Sequence, residues 1–147
     1  MTRYVKPAKN EMIFHNFVAW LARHGVSVLG SRVLSVRGRK TGEPRSVPVN
    51  LMSFEGERFL VAPRGQTQWV RNLRAAGEGQ LRVGRRVEQF KFVELPDDEK
   101  PALLRAYLKR WWFEAGKFFD GVNAKASEEK LREIAPGYPV FRIISRR

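Results

Sequence analysis

The chain has 147 residues, 43% of them hydrophobic and 29% charged, with a net charge of +13, no cysteine and two histidines. That length suits one domain, taken here as 1–147; the lack of cysteine excludes disulfides, thiolate catalysis and Cys-based metal sites, and two histidines make a resident transition metal an unfavoured expectation. The apolar runs fall far short of a bilayer span and no signal peptide opens the chain, so a cytoplasmic protein with an anionic partner is expected: nucleic acid, an acidic membrane surface, or a phosphorylated or polycarboxylate small molecule.

Ile13, Phe14, Phe17, Val18 and Leu21 recur at helical spacing, and Gly25 follows as a stop behind Arg23 and His24. A helix is expected over about 8–24. Its aromatic face suits core cover, and such a basic amphipathic helix also suits peripheral contact with a membrane. The period then changes to two. Leu34 and Val36 alternate with Ser35 and Arg37; Val47, Val49 and Leu51 alternate with Ser46, Pro48 and Asn50. A sharp turn at Glu55-Gly56 leads to Phe59 and Val61, so a strand, a loop and a β-hairpin are expected.

In "TQWVRNLRAAG", Trp69, Val70, Leu73 and Ala76 share one helical face, with Thr67 as the expected cap and Gly77 as the stop. "QLRVGRRVEQFKFVEL" reads as a second hairpin that turns at Gly84-Arg85, with Phe90 and Phe92 on one face. Asp97 and Asp98 are expected to open a long helix whose stripe is Leu103, Leu104, Tyr107, Leu108, Trp111 and Trp112. An irregular stretch, a short helix near 127–134 that stops at Pro136, and a strand in "YPVFRII" complete the chain. Strands in hairpins with helices between them predict an α+β fold around a small barrel or strongly bent sheet, not a parallel doubly wound sheet.

Charge is concentrated. Between Arg37 and Arg86 stand eleven Lys/Arg against four Asp/Glu. "GRKTG" offers backbone N–H groups at Gly38 and Gly42, a hydroxyl at Thr41, and the cations Arg39 and Lys40, a set that can cradle phosphate. The alternative is an ordinary solvated bend. Neither P-loop spacing nor a GxGxxG turn is present. "APRGQTQWVRN" places a turn and Arg64 before a helix N-terminus, which favours anions. Trp69 and Asn72 lie close on that helix, fit for core packing and loop bracing.

Together "GRKTGEPRSVPV", "LVAPRG" and "WVRNLRA", with "YPVFRI" more weakly, resemble the deazaflavin (coenzyme F420)-dependent nitroreductases, split β-barrel oxidoreductases. The resemblance covers about 34–95 well. It implies an FMN-binding-like split barrel of about six mainly antiparallel strands with flanking helices. It also implies that Arg39, Lys40, Thr41, Gly42 and Arg45 hold the phosphate and acidic tail of F420. Pro48 and Asn50 would line the ring site, Pro63, Arg64 and Gly65 would approach phosphate or ring, and Trp69 and Asn72 would brace the pocket. Two departures stand out. The turn before Trp69 is short, with Gln66 in place of a second glycine, and "LKRWWFEAGKFFDG" replaces a Tyr-rich segment on the substrate side.

The implied activity is hydride transfer from reduced deazaflavin to a quinone, enone or nitro compound, the cofactor carrying the chemistry. The proton donor is left open among Tyr107, Tyr138 and water. Phe118, Phe119 and Tyr138 are candidates for the substrate pocket, the two phenylalanines as an apolar lid, although core packing is the favoured reading for each of them. The rival readings are a basic nucleic-acid-binding module, a split barrel that binds FMN or haem, and a cofactor-binding protein without turnover. No zinc finger, RNP signature or helix-turn-helix supports the first, so nucleic acid is not the expected partner.

Overall fold

The computed structural model describes residues 31–83, 85–115 and 122–145, with the backbone alone at 31 and 111–115. The expected helix over 8–24, Gly84, Phe118 and Phe119, and the side chains of Trp111 and Trp112, lie outside the described residues.

β1 (Ser31–Arg37) pairs with β2 (Pro44–Phe54), Leu34 opposite Val47. Glu55 and Gly56, at φ 51° and 79°, turn β2 into β3 (Glu57–Val61). Positive φ at both central residues matches the right-handed twist of a tight hairpin. β4 (Glu78–Val83) and β5 (Arg86–Glu94) form the second hairpin, and β6 (Val140–Ser145) lies between β5 and β3. β4 pairs back onto β1, Leu34 opposite Leu81. The strands therefore close a six-stranded barrel in the order β1-β2-β3-β6-β5-β4, with every pairing antiparallel. Closure removes the unpaired edges an open sheet would expose. The expected split barrel of about six strands is the observed fold, in its fully antiparallel form.

The alternation of side chains builds two cores. Leu34, Val36, Val49, Leu60, Leu81, Phe90 and Phe141 fill the barrel interior together with Val70 and Leu73 of α1 (Gln68–Ala76). Met52, Phe59, Val61 and Val140 face outward against Leu103, Leu104, Tyr107 and Leu108 of α2 (Pro101–Ala115) and Leu131 of α3 (Glu128–Ile134). β3 is thus buried on both faces, Leu60 inward and Phe59 and Val61 outward. Each fully buried side chain of this size contributes roughly 1.5–3 kcal/mol.

Two expected details differ. Asp97 and Asp98 form a short 3₁₀ turn (Asp97–Glu99), and α2 begins only at Pro101. Proline lacks the N–H that a first helical turn leaves unbonded, and its fixed φ suits that position. Buried Lys100 ties this junction, its Nζ donating to Asp97 Oδ1 at 2.7 Å and to the Ala135 carbonyl at 3.1 Å. Thr67 occupies the N-cap of α1 but makes no side-chain cap bond; its Oγ1 is buried without a hydrogen-bond partner among the described residues. Gly77 ends α1 as expected, at φ 77° with its N–H on the Leu73 carbonyl. Ser127 caps α3 through Lys130 N, and Pro136 sits in the 3₁₀ turn Ala135–Gly137 that follows. No helix among the described residues is long and apolar enough to cross a membrane.

The barrel has two unlike ends. At the loop end lie the β1–β2 loop, the turn after β3, and α1. At the turn end lie the β2–β3 and β4–β5 hairpin turns.

Candidate functional site

The loop between β1 and β2 is a closed, self-bonded bend. The N–H of Gly38 donates to the Glu43 carbonyl at 2.8 Å, and that of Gly42 to the Gly38 carbonyl at 2.9 Å. The Glu43 N–H donates to Thr41 Oγ1 at 3.2 Å. The expectation that Gly38 and Gly42 offer free N–H groups to an anion is therefore corrected, since both are consumed in shaping the bend. Gly38 is there for space: a Cβ would stand 3.1 Å from the Glu43 carbonyl and 3.5 Å from Arg45 Cγ. The amides of Gly38, Arg39, Gly42 and Glu43 are all committed to bonds within the protein.

Those cations are differently held. Arg39 is half-buried, and both its backbone N–H and its Nη1 donate to Asn72 Oδ1, at 3.1 and 2.7 Å. Asn72 is buried on α1, so one carboxamide oxygen fastens the loop to the helix that seals this barrel end. Lys40, Thr41, Gly42 and Arg45 are exposed, as is Arg37. Guanidinium and ammonium groups suit phosphate and carboxylate, the guanidinium through its planar fork.

The turn after β3 lies at the same barrel end. Gly65 lies at φ 82° and is buried; its N–H donates to the Ala62 carbonyl at 3.1 Å, and its carbonyl accepts from Thr67 N at 2.9 Å. Pro63 and Arg64 are half-buried. Gln66, buried, accepts from Arg74 Nη1, and Arg74 holds Glu94 through Nε at 2.8 Å and Nη2 at 2.6 Å. Arg74 and Glu94 are thus supports of the turn that the sequence did not single out; the one clue was Gln66 standing where the family pattern has glycine. Trp69 is half-buried, its ring 5.9 Å from Phe141, which itself meets Phe92 edge-on at 5.2 Å. This stack seats α1 on the barrel.

Asn72 thus ties the loop 38–43 to α1, and the turn 63–65 leads into the same helix. Pro48 and Asn50 alternate with inward Val47, Val49 and Leu51, and so lie on the outer face of β2, half-buried, opposite Val33 and Ser31. Tyr107 and Tyr138 are 1% and 3% exposed, inside the outer core with α2, and are not brought onto the loop. The loop end thus presents the exposed cations Arg37, Lys40 and Arg45 beside the exposed hydroxyl-bearing Thr41, groups whose chemistry suits an anion.

A family model described as F420H(2)-dependent quinone reductase matches residues 17–116. Solved structures share the fold. They include an F420-H2 dependent reductase, FDR-A (17% identity, 78% of this chain and 94% of that one, TM-score 0.55). A protein described as a domain-swapped dimer matches at 18% identity over 92% and 96%, TM-score 0.55. The protein Atu2129 of unknown function from Agrobacterium tumefaciens str. C58 matches at 15% identity over 80% of this chain, TM-score 0.58. This chain spans about half the length of the Agrobacterium protein, 49%. No curated protein sequence matches.

Proposed function

The chain belongs to the F420H(2)-dependent quinone reductase family, with coenzyme F420 as its cofactor, and from that premise we propose that it reduces an electron-poor small molecule, a quinone first, then an enone or nitro compound. The observation that carries this reading is the clamp of Arg39 on Asn72, which fastens the basic loop to α1.

The residues fit the cofactor's chemistry. Its phosphate and acidic tail call for several cations, and Lys40 and Arg45 stand exposed on a bend closed by its own hydrogen bonds. Arg39 shapes the bend and adds its charge, and Thr41 and Gly42 hold the bend's outer corner. Arg64, beside buried Gly65, brings a further cation to the adjoining turn. Pro48 and Asn50 offer the outer face of β2 to a flat ring. Trp69 and Asn72 hold α1 and the loop in register. When bound, reduced F420 supplies a hydride to the acceptor. The chain's residues anchor the acidic end and orient the ring against the barrel.

The test is a fluorescence titration with F420 and with FMN, followed by absorbance of reduced F420 in the presence of menadione. F420 should bind at least about tenfold tighter than FMN, a difference of about 1.4 kcal/mol, because FMN lacks the acidic tail. Equal affinities would refute the role of the cations. Binding of F420 without its oxidation by menadione or by a nitroaromatic or enone would refute the activity.

A further inference from the structure

Leu81, Phe90, Phe92 and Ile143 face the barrel interior. Their alternating neighbours therefore point outward: Arg82 on β4, Val87, Lys91 and Val93 on β5, and Ile144 on β6. Val87, Val93 and Ile144 are the large apolar side chains exposed among the described residues, and all three fall on this one face. An exposed apolar residue standing alone is ordinary. Three gathered on two neighbouring strands mark a surface that something covers. Val87 lies opposite Arg82, Ile144 opposite Lys91, and Val87 and Val93 are separated by about 20 Å of strand.

The β4–β5 hairpin also carries four exposed cations, Arg82, Arg85, Arg86 and Lys91. No side-chain hydrogen bond or ion pair holds any of them among the described residues. Of the hairpin's acids, Glu88 is held by Arg58 and Glu94 by Arg74, which leaves Glu78 against the four. Arg142, outward on β6, is itself held by Glu57 at 2.9 Å and adds nothing to that surplus. The partner is therefore anionic and partly apolar. The core of a protein interface is depleted of charge, and an unpaired Lys91 beside Ile144 is out of place there. No aromatic ring stands exposed among the described residues for bases to stack on. An anionic bilayer meets both needs, since phosphates receive the cations, lysine stems lie along apolar surface, and aliphatic side chains reach the acyl boundary.

We propose that this face docks on an anionic lipid bilayer: Arg82, Arg85, Arg86 and Lys91 meet headgroup phosphates, and Val87, Val93 and Ile144 enter the acyl boundary between them. The surface does not depend on the cofactor assignment.

The experiment sediments the full chain with vesicles of phosphatidylcholine containing about a quarter phosphatidylglycerol, at about 0.1 M salt. Binding is expected there and not to pure phosphatidylcholine. Arg85→Gln with Lys91→Gln should weaken it at least about tenfold. Lys40→Gln with Arg45→Gln, which removes the same charge at the loop end, should leave it within about twofold. Val87→Thr with Ile144→Thr keeps the β-branch and the charge, and should weaken binding about threefold. Circular dichroism verifies that each variant is folded. No binding to the acidic vesicles, an equal loss from the two charge variants, or parent-like binding by the threonine variant would overturn the proposal. So would self-association in place of vesicle binding, which would make a second copy the partner, or tighter binding to duplex DNA that the threonine changes leave alone. A failure of F420 to bind in its own titration would count against the cofactor assignment alone.

Discussion

One oxygen of Asn72 receives two hydrogen bonds from Arg39, one from its backbone and one from its guanidinium, across 33 residues of sequence. Removing it leaves a half-buried N–H unpaired and frees the loop. Asn72→Ala should therefore raise the dissociation constant for F420 about tenfold and cost about 1–3 kcal/mol of stability. Asn72→Asp keeps the acceptor but places a carboxylate beside the loop cations, so affinity should fall while most stability remains. Parallel F420 titrations and urea melts check both; lowered stability with unchanged affinity in each variant would make Asn72 a purely structural brace.

Lys40 is exposed on the bend. Lys40→Ala should weaken F420 binding several-fold and leave the melting temperature within about a degree, since solvated cations contribute little to folding. A large drop in melting temperature with parent-like affinity would contradict this.

Arg74 links buried Gln66 to Glu94. Its ion pair is partly exposed and worth at most about 1 kcal/mol, so the buried amide left unpaired is the larger loss. Arg74→Met should cost about 1–3 kcal/mol in urea unfolding. Gln66→Leu combined with Arg74→Met should cost less than the two singly. Strict additivity in that cycle would show that the two side chains are not coupled.

Arg58 and Ser145 hold the Glu88 carboxyl down at about 2, from 4.5, with the Arg58 hydrogen bonds as the largest cause. A depressed carboxylate contributes stability above about pH 4.5 and loses it as pH falls through about 2. Glu88→Gln should therefore be less stable than the parent at pH 6, by no more than about 1 kcal/mol given the pair's partial exposure. The difference should shrink toward zero near pH 2. Thermal melts across that range check the sign; a gap that widens on acidification would be inconsistent with the pairing.

Gly79 lies against the barrel core, where an added Cβ would stand 3.0 Å from the Phe90 ring and 3.3 Å from Leu73. Gly79→Ala should destabilise by about 1–3 kcal/mol through overpacking, measured by urea unfolding. Parent-like stability would mean that the ring moves aside freely.

Much of this protein was legible along the chain, because the signals are local. The period-two runs around Leu34, Val47 and Phe59, the Glu55-Gly56 turn, the Gly77 stop and the Leu103–Leu108 stripe each depend on a few neighbouring residues, and each became the expected element. The clustering of Arg39, Lys40 and Arg45 was equally plain, as were the spaced motifs that pointed to the F420 family.

Only the tertiary structure decided the rest. Closure through β4 on β1, the burial of β3 on both faces, and the choice of bonds inside the loop depend on register, which all six strands set jointly. The amides of Gly38 and Gly42 looked available in sequence, yet the curvature of the β1–β2 bend turns them onto its own carbonyls. Gln66, Arg74 and Glu94 meet only because α1 crosses the barrel end beside β5. Arg32, Arg58, Arg86 and Arg110 are scattered through the chain as ordinary surface cations; a closed barrel puts the first three on inward positions at one mouth, and α2 brings the fourth beside them. Local chemistry chose the elements, while long-range pairing chose which charges would face one another, since that depends on strand order and register that no short stretch encodes.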